Sequence, residues 1–264
     1  MAKEREKEDV GERIKTGIYG LDELIGGGFL RGRTILVSGA CGTGKSILSL
    51  QFIYRGALEY KEPGVYVTFD EIPEKVREDM LAFGWNFKAL EEKNLVAIFD
   101  ASSARAGTPS DEEHALMPGE LNFDKILVDV LTLCRDMGAK RLVIDSIPAI
   151  GSHLGEKEGD IRKAILKLAY IIARSGLTTI ITSEVPEQGS GQAATYSKYG
   201  VEEYIADGVI LLRLFSLGDE TSRTLYIRKM RGTNHRMEIY PLEIGDRGIV
   251  VKKANTVLRF GSGK

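Results

Sequence analysis

The sequence contains few of the residues that mark secreted or membrane proteins. Of its 264 residues only two are cysteines, Cys41 and Cys134, which form neither a CxxC motif nor a metal-ligand spacing. This argues against a disulfide framework and favours a reducing compartment. No apolar run approaches the ~20 residues that span a bilayer, and the first 13 residues lack the apolar core of a signal peptide. We therefore expect a cytoplasmic protein with no membrane partner.

The chain also lacks an excess of charge of either sign. Lys and Arg number 36 against 38 Asp and Glu, which gives a formal net charge of −2. Bulk electrostatics therefore does not drive nucleic-acid binding, although a local basic patch can still do so. The hydrophobic fraction of 43% is sufficient for a packed core.

Between two polar ends, short apolar runs alternate with helical patterns. The runs are predicted strands: Thr34–Ser38, Val65–Phe69, Leu95–Phe99, Arg141–Asp145 and Thr178–Thr182. Because each run is apolar throughout, the pattern predicts parallel strands that are covered on both faces. Residues 14–255 are expected to form a single α/β domain, with a mostly parallel central sheet flanked by helices. Residues 1–13 and 256–264 are expected to be loose tails.

The pattern changes after Gly200. Strands are predicted over Gly208–Phe215, Arg223–Met230 and Ile249–Val251, with no long helix between them. Gly218-Asp219 and the turn residues at 246–248 suit tight connections. The sequence therefore predicts an antiparallel C-terminal extension of the parallel sheet.

A phosphate-binding motif follows the first long strand. Its residues match G-x-x-x-x-G-K-[ST] in full: Gly39, Ala40, Cys41, Gly42, Thr43, Gly44, Lys45 and Ser46. The glycines let successive N–H groups face phosphate oxygens at the positive end of the next helix. Lys45 is expected to reach the β- and γ-phosphates of ATP, and the Ser46 hydroxyl to ligate Mg²⁺. The motif lies between a predicted strand and a predicted helix, as this chemistry requires.

A carboxylate is predicted to complete the magnesium site. Asp145 ends the buried strand Arg141–Asp145, and a carboxylate at such a position holds the water shell of Mg²⁺ in P-loop nucleoside triphosphatases. An ordinary polar strand end is the alternative, because an apolar strand followed by Asp is common.

Two further carboxylates, Asp70 and Glu71, follow the strand Val65–Phe69. Hydrolysis needs a carboxylate that orients or deprotonates the attacking water, and a strand end beside the phosphate loop suits this task. Alternatively, both are favourable negative charges before the helix that Pro73 opens. The spacing alone leaves the two interpretations open.

A basic run extends from Ser222 to Arg236. It contains five Lys or Arg and no Asp or Glu, and it includes Lys229, Arg231 and His235. Such a cluster could bind nucleic acid, or the γ-phosphate of a nucleotide held by a neighbouring subunit. The third interpretation is a solvated face of an edge strand.

Four segments of the chain carry a family resemblance: KTGIYGLDELIGGGFLRGRTILVSGACGTGKS, EPGVYVTFDEIPEKV, YGVEEYIADGVILL and KMRGTNHRMEIYPLEI. With them, the sequence resembles the KaiC branch of the RecA/RadA superfamily from Ile14 to about Val251. The resemblance implies a RecA-like core and active sites shared between the subunits of a ring, usually a hexamer. It implies that Lys45, Ser46 and Asp145 act within a subunit.

By the same resemblance, Lys229 and Arg231 reach the γ-phosphate of the next subunit, with His235 close by. One departure concerns catalysis, because the family usually has two glutamates where this chain has Asp70-Glu71. An aspartate is one methylene shorter, so slow hydrolysis is expected, and the base is not assigned to either residue. The clock protein of this family has two repeats, and one of them is phosphorylated on adjacent Ser and Thr residues. At those positions this chain has Glu203-Tyr204, so it resembles the repeat that is not phosphorylated.

Three functions are carried forward. The first is a ring-forming ATPase whose nucleotide state drives the signalling or assembly of an unknown protein partner. The second is a RadA-paralogue-like, DNA-associated ATPase in recombination or repair. It is disfavoured because Glu184–Gly200 contains a single basic residue, Lys198. The third is an ATP-binding scaffold with negligible turnover, which Asp70 in place of Glu leaves open.

Two residues outside these motifs are expected to be structural. Cys134 lies on the helix before Arg141 and is predicted to be part of the core. Trp85 is predicted to be a packing anchor rather than a base-stacking platform. The polar stretch Ala101–Glu120 is predicted to be a surface excursion.

Overall fold

The computed structural model describes residues 11–119, 122–149, 158–185, 196–217 and 220–253. Its strands are β1 (Arg13–Ile14), β2 (Phe29–Leu30), β3 (Thr34–Gly39), β4 (Gly64–Thr68), β5 (Val96–Asp100), β6 (Arg141–Asp145), β7 (Thr178–Glu184), β8 (Gly208–Leu217), β9 (Glu220–Met230), β10 (Ile239–Gly245) and β11 (Gly248–Val251). Its helices are α1 (Leu21–Leu24), α2 (Lys45–Tyr60), α3 (Pro73–Leu81), α4 (Lys88–Glu91), α5 (Ser102–Ala106), α6 (Phe123–Asp136), α7 (Glu158–Ser175) and α8 (Glu202–Ile205).

One large sheet organises the described residues. Its nine strands run in the order β11-β10-β9-β8-β3-β7-β6-β4-β5. The six strands from β8 to β5 pair in parallel, whereas β8, β9, β10 and β11 pair with one another antiparallel. The predicted fold class, a mostly parallel sheet with an antiparallel C-terminal extension, is confirmed.

The sequence patterns missed or misplaced a few elements. Strand β10 was not predicted, because Pro241 within it is a signal against a strand. Its carbonyl nevertheless accepts a bond from the Lys252 N–H at 2.9 Å. Arg13, assigned to the N-terminal tail, is the first residue of β1. The predicted turn at Gly218-Asp219 lies outside the described residues.

Two apolar layers cover the two faces of the sheet. One contains α2, with Leu48 and Phe52, and the other contains α6 and α7. Trp85 is buried and its ring stacks on Tyr54 with centroids 5.6 Å apart, and Cys134, a residue of α6, is buried. Both residues therefore have the predicted packing role. Among the described residues, no helix combines the length and apolarity needed to cross a membrane.

The strand registers bring distant chain segments together at the carboxyl ends of the parallel strands. Gly39 pairs with Glu184, and Thr68 pairs with Asp145, so the carboxyl ends of β3, β4, β6 and β7 meet. Ligands of open α/β sheets bind beyond these carboxyl ends. At the amino ends of the parallel strands, the start of β8 pairs with the end of β9, through Gly208 and Met230.

Candidate nucleotide site

A cleft of about 730 Å³ opens at the carboxyl ends of the parallel strands. Its lining includes Lys45 and Ser46 from the start of α2, Glu71 after β4 and Asp145 at the end of β6. These residues are far apart in the sequence, and the sheet registers bring them to one site. The volume is within the range of small-molecule sites.

The phosphate loop has the backbone that the motif requires. Gly42 and Gly44 have φ angles of 77° and 101°, which side-chain-bearing residues rarely adopt. A Cβ atom on Gly39 would lie 2.4 Å from the carbonyl oxygen of Leu212, so only glycine fits there. Helix α2 has no side-chain N-cap and no acidic residue in its first turn, which leaves its N–H groups available to an anion.

The side chain of Lys45 lies against this loop. Its Nζ donates to the carbonyl oxygen of Ala40 at 3.0 Å and lies 3.7 Å from Glu184 Oε1. The side chain is only 8% exposed, so the lysine is more buried than a loop position suggests. Thr43 Oγ1 also donates to Ala40 O, at 2.8 Å, and fixes the turn of the loop.

Asp145 is held by two hydroxyl groups that the sequence motifs did not reveal. Tyr66, on β4, donates to Oδ2 at 2.6 Å, and Thr182, on β7, donates to Oδ1 at 2.5 Å. Burial and the Asp145 carboxylate raise the pKa of Tyr66 well above its ordinary value, so the phenol stays a donor. Neither strand singles out its hydroxyl by pattern, because β4 (GVYVT) also contains Thr68 and β7 (TTIITSE) contains several polar residues.

The structure gives Asp70 and Glu71 different environments. Asp70 forms an ion pair with Arg105 and accepts a bond from Ser146 Oγ at 2.9 Å. Among the described residues, no side chain donates to the Glu71 carboxylate. Partial burial, together with the nearby Asp145 carboxylate, raises the pKa of Glu71. Both residues line the cleft, but the Asp70 carboxylate is held by an ion pair, whereas the Glu71 carboxylate is not, within the described part of the chain.

The predicted cations of the basic run lie away from this cleft. Lys229 Nζ donates to the carbonyls of Glu203 at 3.0 Å and Ala206 at 2.6 Å, at the end of α8. Burial and the neighbouring Arg231 lower the pKa of Lys229. Arg231 Nη1 lies 3.6 Å from Asp207 Oδ1.

Strand register fixes how far these cations are from the loop of their own subunit. Val209 pairs with both Leu36 and Lys229, so Lys229 is level with Leu36, three residues before Gly39. This corresponds to about 10 Å along the strands and a further ~10 Å across two strand spacings. Arg231 is farther away, because its N–H donates to Asp207 O, before the start of β8. His235 is on the same side, with Nδ1 3.3 Å from Thr233 O.

Arg223 belongs to the same basic run but points to the cleft. It pairs with Leu214 beyond the level of Gly39, and its Nε donates to Gly42 O at 3.0 Å. The basic run therefore does not form one surface, because the two ends of β9 lie at opposite ends of the parallel strands. No motif indicated that Arg223 belongs to the cleft, and its position in the basic run was the available signal.

The cleft and the sheet together define a P-loop ATPase with a RecA-like fold. The model of the KaiC ATPase family matches residues 14–256. This chain belongs to that family, in agreement with the resemblance of its motifs.

Known relatives agree with this assignment. A UPF0273 protein of Methanocaldococcus jannaschii is 37% identical over 243 residues, which are 91% of this chain and 96% of the relative. The circadian clock oscillator protein KaiC of Parathermosynechococcus lividus is 34% identical over 89% of this chain, but the match covers only 41% of the clock protein. A crystal structure of a KaiC-like protein from Pyrococcus horikoshii has a TM-score of 0.79 and 44% identity, and the match covers 92% of this chain and 100% of that one.

Proposed function

We propose that this protein binds Mg-ATP in the cleft and hydrolyses it slowly, in rings whose subunits complete one another's sites. The observation that carries the proposal is the cleft itself, where Lys45, Glu71 and Asp145 converge from three separate chain segments. The ring, the slow rate and a regulatory role extend the family assignment to this chain.

Phosphate binding follows from the loop and from Lys45. The open N–H groups at the start of α2 suit the phosphate oxygens, and the Lys45 ammonium exchanges its contact with Ala40 O for phosphate. Arg223 and Ile244 line the same cleft beside the loop. We therefore expect them to flank the nucleoside.

The donor set fits a magnesium ion. The Ser46 hydroxyl and the Asp145 carboxylate provide oxygen ligands, which Mg²⁺ prefers. Two hydrogen bonds orient the Asp145 carboxylate before any ligand arrives. When bound, Mg²⁺ would neutralise charge on the β- and γ-phosphates.

Glu71 is the better candidate for the residue that orients the attacking water. A general base needs a free carboxylate, and Arg105 and Ser146 already occupy the Asp70 carboxylate. A raised pKa makes Glu71 a stronger base. The proton of the water moves to the Glu71 carboxylate as the oxygen attacks the γ-phosphorus, and the bond from this phosphorus to the β,γ-bridging oxygen breaks, so that ADP leaves with the electron pair. The shorter side chain at position 70 then positions Arg105 rather than water.

Lys229 and Arg231 are proposed to act on the nucleotide of a neighbouring subunit, with His235 beside them. Their separation from the loop of their own subunit, about 10 Å along the strands and ~10 Å across for Lys229, is too great for a contact in cis. Cations that reach across an interface stabilise the charge of the transferring phosphoryl group.

The nucleotide site is tested by comparing the wild type with Lys45→Ala. ATP with Mg²⁺ should raise the melting temperature of the wild type and leave that of the variant unchanged, because only a ligand of the native state stabilises it. Lys163→Ala, on an exposed face of α7, is the matched control and should keep the shift. If ATP with Mg²⁺ raises the melting temperature of Lys45→Ala as much as that of the wild type, the site is refuted. Turnover with and without single-stranded DNA then separates the proposed function from the DNA-associated alternative.

A further inference from the structure

A second cavity, of about 670 Å³, lies along β5, the last strand of the sheet. We name it the edge groove, and its lining combines one strand of the sheet with two charged walls. One wall contains Arg77 and Glu91, and the other is formed by α6 residues such as Asp129 and Asp136. The groove does not share residues with the nucleotide cleft.

The backbone of β5 is open toward this groove. Gly64 N–H donates to Leu95 O at 3.0 Å, so the backbone groups of Leu95 and Ala97 face β4 and those of Val96 and Ile98 face away. Asp100 is already paired on that side, with its N–H bound to His114 O at 2.8 Å. Among the described residues, nothing pairs the outward N–H and C=O groups of Val96 and Ile98.

An unpaired strand edge is a template for another strand. Ala115 bridges to Asp100 only, as an isolated pair, and Glu112 forms an ion pair with Arg77. The edge groove is therefore open along about four residues, which corresponds to ~13 Å of extended chain.

The charge of the groove limits what can occupy it. Five carboxylates line it against a single arginine, Arg77: Glu91, Glu112, Glu113, Asp129 and Asp136. Asp129 and Asp136 also pair with Lys125 and Arg135 outside the lining, at 2.9 and 3.0 Å, so that five carboxylates meet three cations and the groove remains negative. Arg77 is itself neutralised by Glu91 and Glu112, at 2.8 and 2.6 Å. An occupant should therefore be an extended segment that carries positive charge and no negative charge.

The C-terminal residues 254–264 have this chemistry. They contain Arg259 and Lys264 and no acidic residue, and Thr256–Phe260 reads TVLRF, a pattern with high strand propensity. Because both walls of the edge groove carry carboxylates, Arg259 meets one of them whichever face it takes. Leu133 and Met137 in the lining offer apolar contacts to Leu258 or Phe260.

The segment cannot reach the groove of its own subunit. Residues 252 and 253 follow β11, the opposite edge of the nine-stranded sheet, eight strand spacings from β5. Eight spacings of about 4.8 Å amount to about 38 Å, whereas the residues between Lys253 and Thr256 span about 10 Å. We infer that Thr256–Phe260 of one copy binds as an added strand in the edge groove of a second copy. This inference does not depend on the proposed ATPase activity.

The inference is tested with one full-length chain and one truncated chain, without nucleotide. A ¹⁵N-labelled chain carrying the photo-cross-linker p-benzoylphenylalanine at position 260 is mixed with an unlabelled chain that ends at Lys253. Cross-links between labelled residues 254–264 and unlabelled residues 96–99, 112–115 or 129–137 are expected by mass spectrometry. Such a cross-link must join two copies, because only the labelled copy has the segment.

Charge reversal provides the control. In the unlabelled chain, Glu113→Lys combined with Asp136→Lys should lower the cross-link yield about fivefold or more, since it reverses two exposed carboxylates of the groove. Glu78→Lys, at an exposed site outside the groove lining, should leave the yield unchanged. Circular dichroism checks that all variants are folded. The inference is overturned if cross-links form outside the groove, if none form, or if the double reversal leaves the yield unchanged. The groove would then be open to another polypeptide.

Discussion

Two inactive variants should restore activity when they are mixed. Lys45→Ala removes the proposed phosphate contact of a subunit but leaves its Arg231 in place. Arg231→Ala keeps the phosphate loop but removes the cation that we propose acts on a neighbour. Each variant alone should turn over ATP about 10³-fold or more slowly than wild type, as expected for loss of an arginine finger. In mixed rings, some interfaces join an intact loop to an intact arginine.

The position of Arg231 in its own subunit and the statistics of subunit mixing determine the expected result. Within one subunit, Arg231 is bonded to Asp207, at the level of Thr34 and five residues before Gly39. It is therefore about 17 Å along the strands from the loop, so its loss should have almost no effect on a site completed in cis. With random exchange of equal amounts, about one interface in four has both intact elements, so activity should return to roughly a quarter of wild type.

The assay measures phosphate release after the variants exchange subunits, with light scattering to confirm that rings are present. Arg236→Ala, an exposed arginine of the same run that pairs with Glu238, is the matched control and should stay near wild type. If mixed rings form and the mixture remains inactive, the cations do not complete a neighbouring site. Nucleic acid then becomes the first candidate ligand for Lys229 and Arg231.

Three further predictions follow from individual side chains. Glu71→Gln should keep ATP binding and lose turnover, whereas Asp70→Asn should lose less. Because the base must be ionised and burial raises the pKa of Glu71, wild-type turnover should fall with decreasing pH through a midpoint above the ordinary range of a glutamate, and a midpoint within or below that range contradicts the assignment. Asp145→Ala should bind ATP without metal as the wild type does and lose the gain in affinity from Mg²⁺, measured by titration with a fluorescent ATP analogue; a preserved gain argues against Asp145 as a ligand. Arg141 is fully buried and donates to Glu62 and to the carbonyls of Phe52 and Lys15, so Arg141→Ala should lower the free energy of unfolding by about 3–5 kcal/mol in urea denaturation, and Arg135→Ala, at an exposed site, by less than about 0.5 kcal/mol.

Much of the nucleotide site could be predicted from local patterns. The phosphate loop is a contiguous motif whose glycines are required by backbone geometry, so Gly39 to Ser46 is readable from the sequence. The parallel sheet is readable too, because strands buried on both faces are apolar throughout. Strand β10 was not readable, because Pro241 weakens its pattern.

The partners of the site residues could not be predicted in the same way. Tyr66 and Thr182 are 79 and 37 residues from the carboxylate they bind, and nothing in their own segments marks them as partners of Asp145. The family resemblance gave Lys229 and Arg231 a role in a neighbouring site but no geometry. Their separation from the phosphate loop of their own subunit came from the register of β3, β8 and β9.

The sequence by itself determined the class of the protein, the phosphate loop and the long strands of the parallel sheet, because these depend on backbone requirements within short segments. Tertiary structure alone decided the different environments of Asp70 and Glu71, since Arg105 is 35 residues from Asp70 and Ser146 is 76 residues away. It also divided the basic run, because Arg223 contacts the phosphate loop whereas Lys229 lies toward the amino ends of the parallel strands. A side chain's chemistry is fixed by its neighbours, and in a parallel sheet the neighbours come from distant strands whose register only the packed fold sets.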